Sequence, residues 1–282
     1  AIKILMNSFY GILGTPACRF FDPKLASSIT LRGHEIITGS RTFLEGRGFP
    51  VIYGDTDSLF VQLAGAPSAD TCVALGQELA SALNAHWTER IAREHRLSSQ
   101  LEVEFDTHYL KFFMPTLRDF VQGSKKRYAG LTLGPHGYDV EFKGLEAVRT
   151  DWTPLARRFQ RQLYRRIFLG EPYLELVRET VAQLYAGQLD AELVYKKKLR
   201  RELDEYVKNV PPHVRAARQL AEPGRDIAYY MTVRGPEPAS LRRSALDYRH
   251  YVERQLSPAA DSLLRYVGTS LAQIVDPQLK LF

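Results

Sequence analysis

The strongest constraint in this sequence is a change of period. Val51-Ile52-Tyr53 and Leu59-Phe60-Val61 are short runs of β-branched and aromatic residues separated by Gly54-Asp55-Thr56-Asp57-Ser58, the pattern of a β-hairpin with an acidic tip. Helical patterns flank it, from about Lys24 to Gly46 on one side and from about Ala69 to Glu94 on the other. A chain that sets a tight hairpin between two long helices is neither a bundle nor a sandwich, so the first half reads as α+β. Further short runs, Leu101 to Phe105, Leu110 to Phe113, Tyr128 to Leu133 and Tyr138 to Phe142, read as an antiparallel sheet. Beyond Thr153-Pro154, where proline suits a first helical turn, the pattern is helical over 155–169, 173–187, 212–222 and 257–274, so the second half is expected to be mainly helical. At the other end, Ile2, Leu5, Met6 and Phe9 already stand in helical register without a cap, and the sequence reads as starting inside an element.

Composition limits the classes of function. Hydrophobic residues at 45% and charged residues at 25% allow a packed core and remove the disordered and collagenous classes. No apolar run approaches the ~18 residues of a membrane span and no leader pattern is present, so a cytoplasmic protein with no membrane partner is expected. Two cysteines, Cys18 and Cys72, are too few for a disulfide framework or a paired-cysteine zinc site. The net charge of +6 is uneven: residues 1–150 hold 16 basic and 16 acidic side chains, and residues 151–282 hold 22 and 16. The second half is the candidate phosphate-facing surface, although an Arg-rich helical region can also be merely well solvated.

Asp55 and Asp57 are the first candidates for chemistry. Carboxylates at i and i+2 of an extended segment point to one side of a strand. Two such charges resist joint ionisation unless a cation sits between them, and hard oxygen donors suit Mg2+ rather than zinc. A bare Asp-x-Asp is a weak signal, because hairpin tips are often Asp-rich for turn chemistry alone. On the opening helix, Lys3, Asn7, Tyr10 and Gly11 fall at i, i+4, i+7 and i+8, one stripe. That stripe offers an ammonium for phosphate, an amide for base or sugar, a ring for stacking and a bare backbone for close approach of a base pair. The seven histidines show no paired-ligand spacing, and Gly11 to Gly14 lacks the Gly-Lys-Ser/Thr ending of a phosphate loop.

Together these segments resemble the family B DNA polymerases. Lys3-Ile4-Leu5-Met6-Asn7-Ser8-Phe9-Tyr10-Gly11 is similar to their nucleotide-binding fingers motif, Tyr53-Gly54-Asp55-Thr56-Asp57-Ser58 to their catalytic hairpin, and Lys125-Lys126-Arg127-Tyr128 to the element that grips primer–template duplex. Three motifs in family order are specific, and Gly144 to Trp152 and Asn209 to Arg215 resemble the bacterial branch. The resemblance implies that 1–14 end the fingers, that 15–150 form the palm and that 151–277 form a helical thumb. It implies Asp57 as the main Mg2+ ligand with Asp55 beside it, Lys3 on the triphosphate of a dNTP, and Asn7 and Tyr10 lining the nascent base pair. Lys125, Lys126, Arg127 and Tyr128 would meet the DNA. A further metal-binding Asp, the ribonucleotide-excluding residue and the exonuclease are expected upstream, in an N-terminal remainder of the polymerase, so the chain alone is expected to be inactive. Gln278-Leu279-Lys280-Leu281-Phe282 resembles the pentapeptide with which bacterial polymerases bind the sliding clamp, its Gln278, Leu279, Leu281 and Phe282 suiting one amide site and apolar pockets. A nucleoid-associated, cytoplasmic location follows from the same resemblance. Two other readings remain: a non-catalytic DNA-binding and clamp-tethering module, and a glycosyltransferase using Asp55-Thr56-Asp57 for a metal-bound nucleotide sugar.

Overall fold

The computed structural model describes residues 2–63, 65, 68–115, 126–208 and 210–276, with side chains described from residue 8 onward. The chain divides into two compact units, 1–108 and 109–282. The first holds α1 (Ile2–Leu13), α2 (Pro23–Gly46), the strands β1 (Val51–Asp55) and β2 (Ser58–Val61), and α3 (Ala69–His95). The second holds β3 (Lys111–Phe113), β4 (Tyr128–Gly134), β5 (Gly137–Lys143), α4 (Pro154–Leu169), α5 (Leu174–Tyr185), β6 (Tyr195–Lys198), α6 (Pro212–Ala217), β7 (Asp226–Thr232), β8 (Gly235–Pro238), α7 (Tyr248–Tyr251), α8 (Ser257–Leu264) and α9 (Leu271–Val275). The architecture is mixed helix and sheet.

Local chemistry explains the helices of the first unit. The Asp22 carboxylate accepts the Lys24 amide at 2.9 Å, with Pro23 at the first helical position of α2. Ser68 caps α3 by accepting the Thr71 amide at 3.2 Å. The two helices meet where the Trp87 indole donates to the Ser40 hydroxyl at 2.8 Å, both residues buried. Gly39 makes the approach possible, because a Cβ there would stand 2.9 Å from the Trp87 ring. The run 101–105, expected as a strand, pairs with no strand among the described residues. The Asn84 side-chain amide instead accepts from the Val103 amide and donates to its carbonyl, both at 2.8 Å, while Phe105 lies over Gly76. One asparagine of α3 thus does locally what a neighbouring strand would have done.

In the second unit, β3-β4-β5 form an antiparallel sheet whose inner face, Ala129, Leu131, Val140 and Phe142, packs with Tyr164 and Phe168 of α4 and Leu263 of α8. The neighbouring face of α4, Leu155, Phe159 and Leu163 at four-residue spacing, belongs to a second core. That core also contains Val177, Val181 and Leu184 of α5, Tyr195 of β6, and Ile227 and Tyr229 of β7. A three-stranded antiparallel sheet, β6-β7-β8, therefore lies inside the half expected to be mainly helical. The expected helix over 257–274 is broken into α8 and α9, and a π-helical turn over Val252–Leu256 precedes it. That turn carries the buried Gln255, whose side-chain oxygen accepts the amide of Thr153, the N-cap of α4, at 3.0 Å.

Candidate functional site

The acidic tip is a two-residue loop. Asp55 pairs with Ser58 across the ladder, leaving Thr56 and Asp57 as the loop residues. Thr56 adopts a left-handed conformation at φ 56°, which is strained for a β-branched residue, and the Asp57 amide donates to the Asp55 carbonyl at 2.6 Å. Asp55 thus ends β1 and Asp57 lies in the turn, so the two aspartates do not share one extended strand as their i, i+2 spacing suggests. Asp55 accepts the Thr56 hydroxyl and Asp57 the Ser58 hydroxyl, each at 3.1 Å. Below the tip, Tyr53 and Phe60 pack at 5.3 Å between ring centroids and hold the two strands together.

Helix α1 carries the remaining first-unit candidates. Lys3 and Asn7 stand on it, their side chains outside the described residues. Tyr10 is half exposed, and its hydroxyl lies 2.8 Å from the Thr30 hydroxyl of α2. Among the described residues outside its own helix backbone, nothing lies within 4 Å of where a Cβ on Gly11 would stand.

The second unit carries the basic element. Lys125 lies outside the described residues. Lys126 is exposed in a left-handed conformation at φ 63°, and Tyr128 begins β4 with its ring 5.2 Å from Phe112 and 6.2 Å from Tyr109. Tyr109 rests on Gly130 and donates to Glu141 at 2.7 Å. Burial, followed by the Glu141 carboxylate, pushes its phenol well above the ordinary range. Arg127 turns inward to an ion pair with the buried Glu146, whose other oxygen accepts the Gln160 amide at 2.9 Å. Glu146 is a functional candidate that sequence reasoning missed, since nothing in its local pattern marks a carboxylate 19 residues away as the partner of Arg127. The basic run Lys196-Lys197-Lys198 lies exposed on β6. Gln278, Leu279, Leu281 and Phe282 lie outside the described residues.

The donor set at the hairpin suits Mg2+, because two carboxylates supply hard oxygens. Among the described residues no group of three or more His, Cys, Asp or Glu is placed to hold a metal, so Asp55 and Asp57 could furnish only part of a shell. Among the described residues no helix is long and apolar enough to cross a membrane.

The first unit carries a hairpin with an acidic turn and, on the helix before it, the stripe of Lys3, Asn7, Tyr10 and Gly11; the second carries a basic turn at Lys126. The chain belongs to DNA polymerase family B, whose family model matches residues 1–278. It is 52% identical over 294 residues to DNA polymerase II of Escherichia coli K12, covering all of this chain and 37% of that protein. It is 32% identical over 288 residues to DNA polymerase 1 of Pyrococcus abyssi, covering 95% of this chain and 34% of that one. Among solved structures it resembles the family B DNA polymerase of the hyperthermophilic archaeon Pyrobaculum calidifontis, with a TM-score of 0.59 and 27% identity over 95% of this chain and 33% of that one. The chain thus spans about a third of the length of these relatives. Membership in this family removes the nucleotide-sugar reading of Asp55-Thr56-Asp57.

Proposed function

We propose that this chain is the part of a DNA-directed DNA polymerase that carries its carboxylate hairpin and grips primer–template DNA. The observation that supports this most is the hairpin itself: a family B sequence folded so that Asp55 ends one strand and Asp57 follows in a two-residue loop. In this reading residues 1–14 close the fingers, 15–150 form the palm, 151–277 the thumb and 278–282 a clamp-binding tail. The protein acts in the cytoplasm on the nucleoid.

Lys3 draws in the triphosphate of the incoming dNTP, while Asn7 and Tyr10 orient its base against the template. Asp55 and Asp57 would hold Mg2+. When bound, Mg2+ makes the primer 3′-hydroxyl easier to deprotonate and offsets charge on the transferred phosphoryl group. Lys125, Lys126 and Tyr128 fix the duplex through its backbone, which needs no particular bases. No side chain of this protein attacks the substrate.

Nucleotide addition also requires the remainder of the polymerase, which supplies another carboxylate to the metal site. The 282-residue chain should therefore bind primer–template DNA without extending it in Mg2+ and dNTPs. Extension by the chain alone would overturn its dependence on that remainder, and absence of DNA binding would overturn the whole reading. Replacing Lys125 and Lys126 by Ala should lower the slope of log K against log salt by about 1.8, at about 0.9 per phosphate contact.

A further inference from the structure

Arg127 lies in the basic element, yet its guanidinium faces the protein. It pairs with Glu146, whose side chain is only 6% exposed, and its Nε is buried with no hydrogen-bond partner among the described residues. Glu146 is held from the other side by Gln160, which is fully buried. The Gln160 amide nitrogen donates to Glu146 at 2.9 Å and to the Ala259 carbonyl at 2.8 Å, and its oxygen accepts the Ala147 amide at 2.6 Å. One connected network thus ties Arg127 to α4 and α8. A carboxylate this buried is tolerated only with such partners.

Two backbone facts show what the network restrains. Lys126, immediately before Arg127, holds a left-handed conformation that costs a lysine free energy and persists only where its surroundings impose it. Gly144 lies against it at φ 61°, and a Cβ there would collide with the Lys126 carbonyl. The Arg127 pair and the bare backbone of Gly144 both bear on the backbone at Lys126.

We infer that Arg127, Glu146 and Gly144 are positioning residues that fix the turn presenting Lys126 and Tyr128 to the duplex, and that Arg127 does not itself contact DNA. This rests on the DNA-binding reading above. It makes a prediction opposite in sign to simple electrostatics. Removing the negative charge of Glu146 should tighten DNA binding if charge alone matters, and should free Arg127 to bind phosphate if that residue is a contact. If the turn must be held, the same change weakens binding.

The test is the affinity of the 282-residue chain for a fluorescein-labelled primer–template duplex, measured by anisotropy across a salt series, with melting temperatures taken alongside. Glu146→Gln, which keeps the side-chain shape, and Arg127→Lys, which keeps the charge, should each weaken binding by about tenfold and lower the salt slope by about 0.9, one phosphate contact. The double variant should be no weaker than either single one, because both break the same restraint. Gly144→Ala, which changes no charge, should act in the same direction. If Glu146→Gln melts below the assay temperature, Arg127→Lys decides the matter. Unchanged or tighter binding by folded Glu146→Gln, or by Arg127→Lys where that variant decides, would overturn the positioning role. Absence of binding by the unaltered chain would overturn the DNA-binding reading, and this inference with it.

Discussion

At the scale of single residues, chemistry in this protein follows from which carboxylates have donors arranged around them. Glu237 on β8 accepts the Ser244 hydroxyl at 2.5 Å and the backbone amides of Arg243 and Ser244 at 2.7 and 3.1 Å. These donors, the hydroxyl foremost, hold its carboxyl down from 4.5 to about 2. Since the folded chain binds that proton less readily than the unfolded one, the stability Glu237 contributes is complete above its unfolded value and is lost as pH falls through its folded value. Glu237→Gln should lower stability by about 1 kcal/mol at about pH 7, a figure reduced for partial exposure. The gap from the parent should close between about pH 5 and about pH 2 in melting curves; a constant gap would mean that Glu237 acts through packing. The aspartates differ in kind: the Asp55 and Asp57 carboxylates each accept the hydroxyl of the next residue. Their candidacy is legible from residue type and spacing, but the left-handed Thr56 between them is not, because no local signal asks a threonine to adopt that backbone.

Elements were legible where their pattern was self-contained. The hairpin, α2, α3 and α4 declare themselves by period and caps, and they fold within a few residues of the expected bounds. The β6-β7-β8 sheet escaped reading for two physical reasons. Lys196-Lys197-Lys198 gives all three side chains to solvent and so shows no alternation, and β8 is Gly235-Pro236-Glu237-Pro238, whose prolines argue against a strand except at an edge. The β3-β4-β5 sheet carries its own test. Tyr109 rests on Gly130, where a Cβ would enter the ring, so Gly130→Ala should destabilise the protein by about 1–3 kcal/mol in urea unfolding. Removing the ring as well, in Gly130→Ala with Tyr109→Ala, should cost less than the sum of the single changes, and strict additivity would mean the ring moves aside freely. The tail 278–282 has its own expected outcome: deleting it should abolish roughly micromolar binding to a bacterial sliding clamp and leave DNA affinity unchanged. Equal clamp affinity with and without it would make the tail part of the fold.

For the molecule as a whole, the helix stripe, the carboxylate hairpin and the basic turn stand along a chain whose residues 1–278 match the model of DNA polymerase family B. The motifs made the family legible, while the inward turn of Arg127 onto Glu146, and the hold of Gln160 on Glu146, were hidden because these residues meet only through tertiary packing. The most direct measurement replaces the matching 37% of Escherichia coli DNA polymerase II with this chain and follows primer extension in Mg2+. The chimera should extend primers, and Asp57→Asn should reduce that by about a thousandfold or more while DNA affinity changes little. A folded, DNA-binding chimera that does not extend, or one whose activity survives Asp57→Asn, would contradict the assignment of this hairpin to the reaction.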